Sequence, residues 1–120
     1  MSQRYVEVEL DRTRRLRFDY DALCDLQARL GNLPVLDILD RLARLDMNAI
    51  RWAVFYGLRW EDKAVSQEAV QRLIQTKIDA DAGLEGIALP VARALSLGAG
   101  LRKAEMNGDS AGKAEAPGTA

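Results

Sequence analysis

Three carboxylate pairs are the first candidates for chemistry in this chain: Glu7/Glu9, Asp37/Asp40 and Glu61/Asp62. General acid–base work by such a pair needs a cleft that drives the two pKa values apart. Each pair falls where the pattern predicts a solvated face or a linker, the ordinary home of exposed charges. Cys24 is the only cysteine and there is no histidine. A Cys–His nucleophile, an internal disulfide and a cysteine-based zinc site within one chain are therefore excluded. Cys24 is expected as a small core or half-buried residue. Ser66 precedes a helical pattern and reads as its N-cap, not as a nucleophile. Gly98-Ala99-Gly100 is too short for a phosphate cradle and lacks the strand-to-helix context. Arg12, Arg14, Arg15 and Arg17 are the one basic concentration and could meet phosphates. Glu7, Glu9 and Asp11 offset them, and no aromatic is interleaved for base stacking. An enzyme is the least expected class, and no cofactor, metal or small-molecule substrate is expected.

Composition narrows the field in the same direction. At 120 residues the chain is a single domain, long enough for a core without staples. Apolar content of 48% and charged content of 29% fit a soluble globular protein. Lys plus Arg (17) nearly balances Asp plus Glu (18), so no global field draws in nucleic acid or an anionic membrane. No apolar run reaches the roughly 18 residues of a membrane span, and MSQRYVEVEL lacks the apolar centre of a signal peptide.

The elements that carry these residues follow from periodicity. Val6, Val8 and Leu10 alternate with Glu7 and Glu9; Leu16 and Phe18 alternate with Arg15 and Arg17. The period of two predicts an antiparallel hairpin over 5–18, with Glu7 and Glu9 set against Arg15 and Arg17 on its outer face. Asp19 caps a helix whose face is Ala22, Leu23, Leu26 and Leu30, ending at Gly31. Pro34 opens a second helix running to Leu45, with Leu36, Ile38, Leu39, Leu42 and Leu45 inward and Asp37–Arg41 and Asp40–Arg44 as ion pairs. Ser66 caps a fourth helix with Ala69, Val70, Leu73, Ile74 and Ile78 inward. A last apolar segment, 84–97, is kinked by Pro90 or opens there as a shorter helix. From Gly98 onward the composition predicts a flexible tail.

Between the second and fourth helices, Asp46 caps the stretch DMNAIRWAVFYGLRWED, which holds both tryptophans. Met47, Ile50, Ala53, Val54, Gly57 and Leu58 make a broad apolar face, and Trp52, Tyr56 and Trp60 widen it. The polar stripe is Asn48, Arg51 and Arg59, with Phe55 in its middle. Trp52, Tyr56 and Trp60 are first of all core. Phe55 is the residue that a monomer tends to expose and a partner tends to cover.

The hairpin YVEVELDRTRRLRF followed by the capped DYDALCDLQARLG resembles the opening of siphophage tail assembly chaperones, including the small tail protein of gene transfer agents. The matching pieces are Ala22–Gly31 (AL-x-x-L-x-x-x-LG), the leucine-rich Val35–Leu45, Ile50–Leu58 (IRWAVFYGL) and, after an acidic linker, Ser66–Ile74 (SQEAVQRLI). The likeness spans Tyr5 to Ile78 and is one of order and spacing, not of a catalytic signature. It implies a non-enzymatic protein that binds and solubilises the tape measure protein and helps recruit tail tube protein. It also implies action in the cytoplasm of the bacterial host and absence from the mature particle. Many weak contacts along a long helical partner supply avidity, and an open hairpin edge offers a route to a homo-oligomer.

The fold expected is α+β and mostly α: an N-terminal β-hairpin packed on four or five helices in one domain over 1–97, with a flexible C-terminal tail over 98–120. Trp52, Phe55 and Tyr56, with Arg51 and Arg59 beside them, are expected at or under the partner-binding surface. Tyr5, Glu7, Arg15 and Arg17 mark the edge for self-association. The alternatives are a structural tail or head-tail completion protein of a phage-like particle, and a small nucleic-acid-binding regulator using the arginine-rich hairpin.

Overall fold

The computed structural model describes residues 5–80 and 83–101. Its order is β1 (Val6–Glu9), β2 (Thr13–Leu16), α1 (Tyr20–Arg29), α2 (Val35–Ala43), α3 (Met47–Leu58), α4 (Gln67–Asp79) and α5 (Glu85–Gly98). An N-terminal hairpin followed by five helices is the α+β, mostly α class that the periodicity predicts. The part of the expected tail beyond 101 lies outside the described residues.

The strands pair antiparallel with Val6 opposite Leu16, Glu7 opposite Arg15, Val8 opposite Arg14 and Glu9 opposite Thr13. Val8, Leu16 and Phe18 are buried, so the period-two face packs inward. Arg14 shares that inner face and is the exception to the alternation. Its guanidinium is held by Asp11 at 2.9 and 3.0 Å and reaches Asp62 at 3.5 Å. That triad pins the hairpin turn to the α3–α4 linker. Of the expected acidic–basic outer face, Glu7 stands opposite Arg15, while the register sets Glu9 against Thr13, whose hydroxyl donates to it.

α3 runs through the centre. Ala49, Ile50, Trp52, Ala53, Val54, Tyr56, Gly57 and Leu58 are all buried, and α1, α2, α4, α5 and β2 pack around them. Fully burying side chains such as Ile50, Val54 and Leu58 contributes about 1.5–3 kcal/mol each. Asp46 caps the helix, its carboxylate accepting from the N–H groups of Asn48 and Ala49 at 2.9 and 3.2 Å.

Two glycines set how closely the layers approach. A Cβ at Gly57 would stand 3.0 Å from Leu16 Cδ2 and 3.1 Å from Phe18 Cζ, so the hairpin lies directly on this turn of α3. The missing side chain at Gly57 is what admits the sheet. A Cβ at Gly98 would fall 2.2 Å from the Phe18 carbonyl oxygen. Gly98, expected to open the tail, is instead the last residue of α5 and a site of backbone-to-backbone contact.

Several local expectations are corrected by packing. α2 begins after Pro34, which is the N-cap, and ends at Ala43. Leu45 turns the chain in the left-handed region at φ 60°, with its N–H bonded to Leu42 O and the Asp46 N–H to Arg41 O. Arg44 pairs with Asp40 as expected, but Arg41 reaches Asp46 instead of Asp37. Leu36 and Met47 are 68% and 49% exposed, off the core that their periodicity assigned them. Cys24 is exposed, one turn along α1 from Tyr20. Pro90 sits inside a continuous α5, where it removes the bond to the Gly86 carbonyl.

Candidate partner-binding surface on the third helix

The proposed partner residues lie on two flanks of α3, and the structure treats the flanks differently. On the α1 flank, Trp52 and Tyr56 are buried, 6% and 8% exposed. Their rings sit 6.0 Å apart, and the Arg29 guanidinium of α1 lies 4.2 Å from the Trp52 ring centroid. Trp52 and Tyr56 therefore do not leave the core toward solvent; α1 closes that side. They form the floor on which Phe55 rests, at 5.6 and 5.1 Å and nearly perpendicular to both. Phe55 itself is half-buried, with the Arg59 guanidinium 5.5 Å from its ring. Of the three rings, Phe55 is the one that is not fully buried.

The hairpin flank gathers Tyr5, Arg15, Arg17 and Trp60. Tyr5 and Trp60 stack at 6.0 Å, Arg15 lies 5.3 Å over Tyr5, and Arg17 lies 5.7 Å over Trp60. Arg15 also bridges Glu61 at 3.3 Å. The backbone here corrects the expectation of an open β2 edge. The Trp60 indole N–H donates to the Arg15 carbonyl at 2.9 Å, and the Arg17 N–H donates to the Gly57 carbonyl at 3.0 Å. Arg15 and Arg17 therefore belong to a closed edge sealed by the end of α3. On the β1 side the Glu9 carbonyl accepts from the Lys77 ammonium. Glu7, opposite Arg15, is what remains of the β1 edge for strand addition.

The α4 flank is open. α3 and α4 run antiparallel, since Met47 at the start of α3 lies with Ile78 near the end of α4, while Phe55 lies with Ser66 and Gln67 at its start. Along α3 the ridge is Met47, Arg51 and Phe55 at four-residue spacing. Along α4 the facing ridge is Gln67, Gln71 and Gln75, also at four-residue spacing, above Ile74 and Ile78. Two hollows of about 410 and 390 Å³ lie between the ridges and share Gln71. Arg51 donates to Asn48 Oδ1 at 2.8 Å, yet its Nε is shut away from solvent with no acceptor. A buried N–H left in that state costs about 1–3 kcal/mol.

Sequence reasoning placed Arg51 and Phe55 on this stripe but missed the glutamine ridge. The signal was present: three glutamines recur every four residues in QEAVQRLIQ, which no requirement of the core explains.

Electrostatics elsewhere are those of a scaffold. The Arg14 hydrogen bond holds the Asp11 carboxyl below its ordinary value, and the same contact raises Arg14. Burial pushes Asp46 up, but the backbone N–H groups of Ala49 and Asn48 together with Arg41 outweigh it and leave its pKa lowered. Among the described residues no cluster of three or more potential ligands could hold a metal ion, and no helix is long and apolar enough to cross a membrane. The α4 flank combines an apolar floor, the Phe55 ring, the Arg51 guanidinium set 5.3 Å over the Trp52 ring, and a rim of glutamine amides with the Glu68 carboxylate among them. Compared with protein-family models, curated proteins and solved structures, the chain matches none.

Proposed function

We propose that this protein is a non-enzymatic tail assembly chaperone of the phage type. It binds the tape measure protein, keeps it soluble in the cytoplasm of the bacterial host and helps recruit tail tube subunits, and it is left out of the mature particle. The observation that carries the reading is the order Tyr5–Ile78: hairpin, AL-x-x-L-x-x-x-LG helix, leucine-rich helix, IRWAVFYGL helix and capped SQEAVQRLI helix. The open α4 flank supports it, because a chaperone of a long helical chain needs a surface that covers apolar helix and no reaction centre. Self-association of copies along the partner belongs to the same reading, with the β1 edge at Glu7 as its strand-pairing route. The regulator reading loses support from the hairpin, where Arg14 and Arg15 are paired to acids and Arg17 covers Trp60.

The test is co-expression with a tape measure protein, where a very large protein is encoded just downstream. The expected result is a partner that is insoluble alone and soluble together with this chain. A partner that stays insoluble, or this chain found in purified particles, contradicts the reading.

A further inference from the structure

We infer that the cleft between α1 and the end of α3 is a self-association face. A second copy of this chain docks there about a twofold axis, so that the acidic wall of each copy meets the basic wall of the other. This face is separate from the β1 edge, and the inference stands whether or not the chain is a chaperone.

The cleft is divided by charge. A hollow of about 340 Å³ opens between the two elements. Its α1 wall carries Asp19, Asp21 and Asp25; its other wall carries Arg59 and Lys63, with Tyr56 and Trp60 also in the lining. All five charged residues are exposed, yet no ion pair crosses the hollow. Each wall holds its own groups in place. Asp19 caps α1, and the Arg59 guanidinium lies over the Phe55 and Tyr56 rings at 5.5 and 5.9 Å. Asp21, Asp25 and Lys63 make no hydrogen bond or ion pair among the described residues. Elsewhere on the surface opposite charges meet: Arg15 with Glu61, Arg41 with Asp46, Arg44 with Asp40. Here the cleft keeps them apart, and water screens what attraction remains.

A face split in this way is complementary to itself. A twofold axis laid along the cleft exchanges the walls, so each copy presents acid to the other's base and base to its acid, and every contact is made twice. The charges balance. Arg29 follows Asp25 on the α1 wall, lining an adjoining hollow with Asp25 and Tyr56. Three carboxylates less that guanidinium leave the α1 wall with two negative charges, against the two positive charges of Arg59 and Lys63. A foreign partner would have to carry both signs in the reverse order; a second copy carries them by symmetry. Tyr20 supplies an apolar anchor. It lies between Asp19 and Asp21 in the chain and is 78% exposed, more than any other large apolar side chain among the described residues. The same rotation brings Tyr20 to the basic wall of the other copy, where Arg59 and Lys63 offer cations to the face of its ring.

Sedimentation velocity of the full chain tests this. At about 100 μM and low salt the chain should sediment as a dimer. Raising the salt to about 0.5 M should shift it toward monomer, because the contact is made of charges that ions screen; this series needs no variant. Asp21→Lys and Lys63→Glu, both at exposed positions, should each weaken the dimer at least about tenfold and leave the helical circular dichroism unchanged. The double variant, Asp21→Lys with Lys63→Glu, should regain the dimer. An equimolar mixture of the two single variants should regain it as well, since every contact between the two then joins opposite charges. A chain that stays monomeric at low salt, a dimer indifferent to salt, or a double variant and mixture that stay monomeric overturns the proposal. A dimer unmoved by either single substitution also overturns it and assigns the association to another face. Failure of tape measure rescue leaves these results untouched and counts against the chaperone reading alone.

Discussion

The hairpin flank and the α4 flank of α3 use the same residue types to opposite ends. Each combines arginines with an aromatic ring. On the hairpin flank every element has a partner inside the chain: Trp60 with the Arg15 carbonyl, Arg17 N–H with the Gly57 carbonyl, Arg15 with Glu61. On the α4 flank Arg51 keeps an unmatched Nε, Phe55 keeps part of its ring in view, and Met47 is half exposed. An Arg–aromatic cluster is therefore not a binding signal in itself. What marks a surface for a partner is apolar area that the chain has left uncovered, as at Met47.

The comparison breaks most violently at the closed side. Gly98→Ala should cost about 3 kcal/mol or more, because its Cβ would lie 2.2 Å from the Phe18 carbonyl oxygen, a backbone atom that cannot swing aside. Urea denaturation should show a large fall in midpoint; an unchanged midpoint would mean that α5 and the hairpin are not in contact. Asp46→Ala should cost about 1 kcal/mol by uncapping α3. The carboxyl of Asp46 is lowered in the folded state, so its contribution is complete above the ordinary value of 3.8. That contribution is lost as the pH falls through the lower folded value. The alanine variant should show a flatter loss of stability with acid than the parent, in melts run between neutral pH and pH 3.

Trp60→Phe keeps the stacking area and deletes the bond to the Arg15 carbonyl, and should cost about 1 kcal/mol. A neutral result would mean that the β2 edge needs no seal. The smallest effects are the most discriminating. Arg14→Met breaks a satisfied triad and should cost about 0.5–1 kcal/mol. Arg51→Met relieves a buried N–H without an acceptor but also loses the bond to Asn48 and the stack on Trp52, so the two effects offset and stability should change by less than about 0.5 kcal/mol in either direction. If both variants destabilise alike, the contrast between the flanks is wrong.

Much of this was legible in the sequence, and the reasons are local. The hairpin, the caps at Asp19, Asp46 and Ser66, and the central helix follow from period and capping residues that act within a few positions. What escaped depends on contacts distant in sequence. Gly98 looks like tail until Phe18 is placed against it, 80 positions earlier. Trp52 and Tyr56 read as core from the sequence and are buried, but that α1 lays Arg29 across the indole shows only once the helices are docked. The Arg15–Arg17 edge looks open until the end of α3 arrives to bond it. Leu45 reads as the last turn of α2 by hydropathy, yet its backbone turns left-handed to start α3. The α4 flank was half legible: Arg51 and Phe55 share one stripe of α3 in the sequence and line this flank, while the facing glutamines carry no hydrophobic signal and emerge only when α4 is docked.

The most direct measurement is a methyl NMR map of this chain alone and bound to a soluble segment of the tape measure partner. The account predicts that the Met47, Ile74 and Ile78 methyl resonances, all on the α4 flank, move together, and that the Val8 and Leu16 methyls under the hairpin stay where they are. Movement of the hairpin methyls with the α3–α4 groove unchanged would contradict it.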